Sequence, residues 1–151
     1  MAHRPPFPPD RAPSAPIRIL AVDPDEAVCA LIRDTLASEP RLWVSIAPGG
    51  PAAHAALRQG EIGLVLVDGS LPGVPGTPAL AAHADKLGIP VIVMATDPDR
   101  IRPNRGVVRG LLAKPFHPRD LSHLVAATLV LARRRGNVLA GVRTRDPEAR
   151  H

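Results

Sequence analysis

The sequence predicts an α/β fold, a doubly wound sheet of five parallel strands with helices on both faces. Two observations predict it. Apolar runs of strand length recur five times, at 17–23, 42–47, 62–68, 91–95 and 107–113. The stretches between them are long enough for helices and mostly carry helical spacing, which is the pattern of repeated β-α units. At 151 residues the chain has room for one domain with its own core, since domains commonly hold about 100–150 residues.

Residues 1–16, "MAHRPPFPPDRAPSAP", carry six prolines and little that could be buried. They are predicted to be an extended or disordered arm. The folded unit is expected over 17–135. After the first strand, Asp25 is placed to cap a helix whose Val28, Leu31, Ile32, Thr35 and Leu36 recur on one face. Cys29 falls on that helix and is read as a buried structural thiol; as the one cysteine in the chain it forms no internal disulfide. An alanine-rich helix is expected over 52–58 and another over 78–86. The fourth crossover, "TDPDRIRPNRG", has two prolines and one strong apolar residue, Ile101, so a short or irregular element is expected there. Following Pro118, the residues Leu121, Leu124, Val125, Thr128 and Leu129 describe a final amphipathic helix. Val130 and Leu131 lie beyond its core stripe and suit either a dimer or partner contact or a broader stripe packed inside. From 136 to 151 no period is sustained, and a basic, mostly disordered tail is expected, with a short turn near 138–142.

Composition narrows the function classes. With no apolar run of about 18 residues and no charged-then-apolar leader, neither a membrane span nor a signal peptide is predicted, and the protein is read as cytoplasmic. The formal charge of +5 and pI near 10.9 raise nucleic acid as a partner. Two Phe, one Trp and no Tyr leave no platform for stacking bases, so that partner is set aside.

An open parallel sheet binds ligands beyond the carboxyl ends of its strands. The residues there are Asp23, Asp68, Ala95 with Thr96, and Lys114. Taken singly, each strand-end aspartate has a bland role as a cap or turn former, and a lysine is usually solvated. Together, carboxylates that hold a divalent ion, an aspartate nucleophile and an ammonium facing phosphate oxygens suit phosphoryl transfer.

On these residues the chain resembles the receiver domain of two-component response regulators, over about 17–135. "LVLVDGSLPGVPG" at 64–76 is similar to the family's phosphoacceptor strand and loop, "IPVIVMAT" at 89–96 to its fourth strand, and "LLAKPF" at 111–116 to its fifth. The resemblance implies a flavodoxin-like strand order 2-1-3-4-5, with Asp68 as phosphoacceptor and Lys114 paired with the phosphoryl oxygens. It also implies Mg²⁺ held by Asp23 and Asp68, and a cis bond before Pro115. Two positions depart from the pattern. Pro24 stands where the family has a second acid, which weakens or removes the Mg²⁺ site; Asp25, one position late, is either a substitute ligand or the helix cap. Ala95 aligns with the strand-four hydroxyl, with Thr96 next to it and able to serve if the strand end slips by one residue. Leu111 aligns with the family's switch aromatic.

The leading reading is therefore a stand-alone receiver in a phosphorelay. It would take a phosphoryl group on Asp68 from a histidine kinase or phosphotransfer protein and signal to a downstream protein target by contact, including a homodimer through the last helix. The alternative is a degenerate receiver acting as a phosphorylation-independent interaction module. A third reading follows from "ILAVDPDEAV", which resembles the aspartate-x-aspartate motif of haloacid-dehalogenase-type phosphatases, with Asp23 as nucleophile and Asp25 as acid.

Overall fold

The structure, a computed structural model, describes residues 16–73, 76–101 and 108–145, with 135–145 described by backbone alone. Elements alternate along the chain: β1 (Ile17–Val22), α1 (Glu26–Leu36), β2 (Leu42–Ala47), α2 (Gly50–Gln59), β3 (Ile62–Asp68), α3 (Thr77–Lys86), β4 (Val91–Ala95), β5 (Val108–Ala113) and α4 (Pro118–Arg145). All four pairings are parallel and the sheet order is β2-β1-β3-β4-β5, as the resemblance implies. The order reverses at β1, so the crevice outside the carboxyl ends of β1 and β3 is the natural ligand site.

Helices cover both faces because the central strands are apolar on both. In β3, Leu64 and Leu66 join Ile32, Leu36, Leu121 and Val125 under α1 and α4. The alternate residues Val65 and Val67 join Ala53, Leu57, Leu80 and Ala84 under α2 and α3. Successive side chains point to opposite faces, and a strand covered on both sides needs apolar residues at every position. Burying each Leu or Ile of these layers contributes on the order of 2 kcal/mol.

Two expectations from the sequence meet the structure at the crossovers and the end. Between β4 and β5 there is a single 3-10 turn, Pro98–Arg100, after which Ile101 packs on the core; residues 102–107 lie outside the described part. Among the described residues no helix covers the outer face of β5, where Leu111 is 38% exposed. The predicted end of order at 135 is corrected: α4 runs on to Arg145. A lapse in apolar period removes packing, but it does not break a helix, and the first proline after Pro118 is Pro147. The expected arm at 1–15 and the tail from 146 lie outside the described residues.

Candidate functional site

The first wall of the crevice is built by "DPD". Asp23 ends β1 with its side chain 1% exposed. Its Oδ1 accepts from the backbone N–H of Asp25 at 2.8 Å, and Asp25 Oδ1 in turn accepts from the N–H of Ala27 at 2.9 Å. These are two consecutive turns of the kind in which a carboxylate bonds the backbone two residues on, with Pro24 supplying the fixed φ between them. Asp25 is thus the N-cap of α1, with extended backbone angles (φ −85°, ψ 111°). The sequence left its role open between cap and metal ligand; the structure places it as the cap.

The second wall is the end of β3 and its loop. Gly69 follows Asp68 and donates to Met94 O at 2.7 Å, a close approach that a side chain would obstruct. A Cβ there would lie 3.0 Å from Ile101 Cδ1 and 3.2 Å from Val93 Cγ1. Gly73 turns the loop with φ +92°, a conformation that favours glycine. Thr77, at the start of α3, fastens this loop from below: its hydroxyl donates to Asp68 O at 2.7 Å and accepts from Leu71 N at 3.0 Å. Sequence reasoning missed Thr77. The available signal was a threonine opening a helix just after a glycine-rich turn.

Lys114, beyond β5, closes the crevice. Its backbone N–H bonds Ala95 O at 2.8 Å, and the bond that follows, Lys114–Pro115, is cis. Its Nζ donates to Asp23 Oδ2 at 2.6 Å and to Asp68 Oδ1 at 2.9 Å, with the lysine side chain 17% and the Asp68 side chain 15% exposed. Burial alone would push the ammonium down. The hydrogen bonds to Asp23 and Asp68, together with the field of both carboxylates, outweigh it and hold the Lys114 pKa above the usual lysine value. The structure therefore brings Asp23, Asp68 and Lys114 to one point. It does not bring Thr96 there. After a register shift between Val91 and Ile92, β4 pairs without further shift to its end, with Ala95 opposite Ala113, so Ala95 is the buried residue at the strand tip and Thr96 lies in the exposed bend after it. Beneath Asp23, the Cys29 thiol is buried and contacts Asp23 O at 3.4 Å; burial and then the Asp23 charge raise its pKa, as suits an unreactive packing residue.

Receiver domains generally bind Mg²⁺ at the phosphorylation site, so the donor set can be tested against that ion. Mg²⁺ demands an octahedron of hard oxygens and is usually held by one or two carboxylates with waters and phosphate. Here Asp23 has both oxygens engaged, Asp68 has one, Asp25 caps a helix and Pro24 has no donor. Among the described residues no group of three or more His, Cys, Asp or Glu gathers to hold a metal. The residues as arranged do not fit the ion: one ammonium already occupies the space between the two carboxylates.

A sheet of this order with two aspartates and a lysine converging at its carboxyl edge defines a receiver-type signalling domain. The comparisons agree: the family model of the response regulator receiver domain matches residues 19–126, and the chain belongs to that family. It is 32% identical over 127 residues to the regulatory protein VanRB of Enterococcus faecalis, covering 82% of this chain and 56% of that protein. The chain spans about half the length of the relatives it matches. Two solved structures share the fold. The signal receiver domain of an HD domain-containing protein from Pseudomonas fluorescens gives a TM-score of 0.70 at 22% identity, covering 78% of this chain and 98% of that one. The response regulator protein TrrA of Thermotoga maritima, in complex with Mg²⁺ and BeF, gives 0.64 at 22% identity, covering 74% and 98%. Among the described residues no helix is long and apolar enough to cross a membrane.

Proposed function

We propose that this receiver domain works in a phosphorelay, accepting a phosphoryl group on Asp68 from a histidine kinase or phosphotransfer protein and passing the signal on by protein contact in the cytoplasm. The observation that carries the reading is the asymmetry of the two aspartates around one lysine. Asp23 is sealed, with both oxygens bonded. Asp68 reaches solvent and has one oxygen, Oδ2, outside its bond to Lys114. An incoming phosphohistidine meets that oxygen: Asp68 attacks phosphorus, the P–N bond breaks, and the imidazole nitrogen leaves with the electron pair. Lys114 is already within bonding distance of Asp68, so its ammonium offsets charge on the transferred oxygens as it develops. Thr77 holds the Asp68 main chain in place for the transfer. The same sealing of Asp23, with Asp25 bound to its cap, speaks against the phosphatase reading, which needs the first as nucleophile and the second as free acid.

For the output, exposed Val130 and Leu131 on α4 (50% and 58%) support contact with a partner or a second copy through the last helix.

A second reading has its own observation. Ala95 stands at the strand tip where the family has a hydroxyl, and Pro24 where it has an acid, which supports an interaction module that signals without phosphorylation. The experiment that separates them adds a small phosphodonor or beryllofluoride, with and without Mg²⁺, to the full chain and follows Asp68 by mass spectrometry and NMR. The phosphorelay reading expects an adduct that is lost in Asp68→Asn. No adduct, beside a receiver that responds under the same conditions, leaves the interaction module.

A further inference from the structure

On the far face of the sheet from α1 and α4, a second polar cluster lies outside the phosphoacceptor site. His54 on α2 and His83 on α3 meet with their Nδ1 atoms 2.8 Å apart. The ring centroids are 5.0 Å apart and the planes within 14°. When the facing nitrogens touch and the centroids stand that much further apart, the rings meet edge to edge in nearly one plane rather than face to face. This contact is a hydrogen bond only if one Nδ1 carries a proton and the other offers its lone pair. A metal ion does not fit between the two nitrogens, since Zn–N bonds of about 2.0 Å each need a wider gap.

Among the described residues no carboxylate pairs with either ring to balance a second positive charge, and both residues are half-buried. His54 Nε2 is buried without a partner. The strands beneath present apolar side chains, among them Leu20 and Val22 of β1, Ala47 of β2, Val65 of β3 and Val91 of β4. Arg58 is the other charged group of α2, with the same sign as an imidazolium, and the charged residues of α3, Asp85 and Lys86, are exposed. Burial, then His83, then Arg58 lower the pKa of His54.

We propose that His54 and His83 form a one-proton latch between α2 and α3, which tolerates one added proton and is broken when both rings are charged. A first added proton keeps an imidazolium N–H donating to a neutral ring. A second sets two N–H groups and two like charges against each other at the same contact. The latch sits on the helix that begins with Thr77, the residue fastening the Asp68 loop, so α3 joins the two places.

The sign of the pH dependence follows from proton counting. Below about 6.5 the unfolded chain protonates both imidazoles, while the folded pair takes one fewer. Stability therefore falls as pH drops through that range, and the unfolding equilibrium constant rises about tenfold per pH unit for the missing proton. The test is denaturant unfolding of the full chain with chelator present, between about pH 7 and 5, for the native protein, His54→Gln and His83→Gln. The other histidines are common to all three, so the difference isolates the pair. The native constant is expected to steepen by up to about tenfold per pH unit relative to either variant; equal slopes overturn the latch. Should a variant fold poorly, ¹⁵N titration of the native imidazoles decides: one ring staying neutral until the helices part supports it, and both rings charging with the folded spectrum intact overturns it.

Discussion

Replacing Lys114 with methionine should be the most damaging single change at the crevice, and its cost can be worked from the contacts. The ammonium is the shared partner of Asp23 Oδ2 and Asp68 Oδ1. Methionine retains much of the lysine stem, so packing is largely kept while the charge is lost. Removing one member of a buried ion pair typically costs about 3–5 kcal/mol, because the remaining charge is left uncompensated. Asp68 and Lys114 both touch solvent, which screens part of this, so the expected loss is near the lower end, about 3 kcal/mol. Most of it belongs to Asp23, which is sealed and cannot turn to water. Neutralising that aspartate as well should therefore recover stability: Lys114→Met with Asp23→Asn is expected to be about 1–2 kcal/mol more stable than Lys114→Met alone, a coupling that double-mutant cycles resolve. The assay is equilibrium unfolding in urea at neutral pH, comparing midpoints at equal slope. A loss under about 1 kcal/mol for the single variant, or a double variant no more stable than the single, would refute the account of Asp23 as a buried charge held by Lys114.

Two further outcomes follow from the same contacts. Thr77→Val keeps the shape and removes the hydroxyl, leaving the buried Leu71 N–H without its acceptor; a loss of about 1–3 kcal/mol is expected, with faster hydrogen exchange at the Leu71 amide, and unchanged exchange there would refute the clamp. Because the folded Lys114 pKa is raised, its share of stability is present below about 10.4 and is lost as pH rises through the folded value. The gap in stability between the native protein and Lys114→Met should accordingly hold up to about pH 10 and narrow above about pH 10.4, and a gap that stays constant above that value would show that the lysine charge is not what Asp23 and Asp68 hold.

Much of this molecule is legible along the chain, and what is not has a physical cause. The strand runs and the amphipathic stripes of α1 and α4 are local patterns, and the sheet order came with the loop and lysine motifs at 64–76 and 111–116. The convergence of Asp23, Asp68 and Lys114 was readable for the same reason: strand ends on one edge of a parallel sheet must meet. Asp25 was ambiguous, because one residue of phase decides whether its carboxylate faces a crevice or its own helix, and its extended backbone angles turn it to the helix. Thr96 was placed by a slip at the strand end, whereas the shift in the β4–β5 pairing lies at its start, between Val91 and Ile92. Thr77 acts across nine residues to Asp68 through a bond that no periodicity announces. The His54 and His83 contact spans 29 residues and depends on how α2 leans on α3, which is a property of packing alone.

The proline in "DPD" is best understood by where it sends the charge of Asp23. In the turn it sets, one oxygen of Asp23 is spent on the Asp25 N–H and the other on Lys114, while Asp25 is spent on its helix. The crevice thus balances two carboxylates against one ammonium, and every oxygen but one of Asp68 is committed. Phosphorylation would turn the Asp68 carboxylate into a group with one more negative charge while the protein supplies no further cation from these residues. Buried charge without a partner is costly, so the phosphorylated state must draw compensation from a donor or partner at the open side, beside Asp68. Pro24 and Ala95 therefore act in one direction. On the phosphorelay reading, each removes an element that would let the domain stabilise a phosphoryl group by itself, and each would shift that task toward a docked donor or partner.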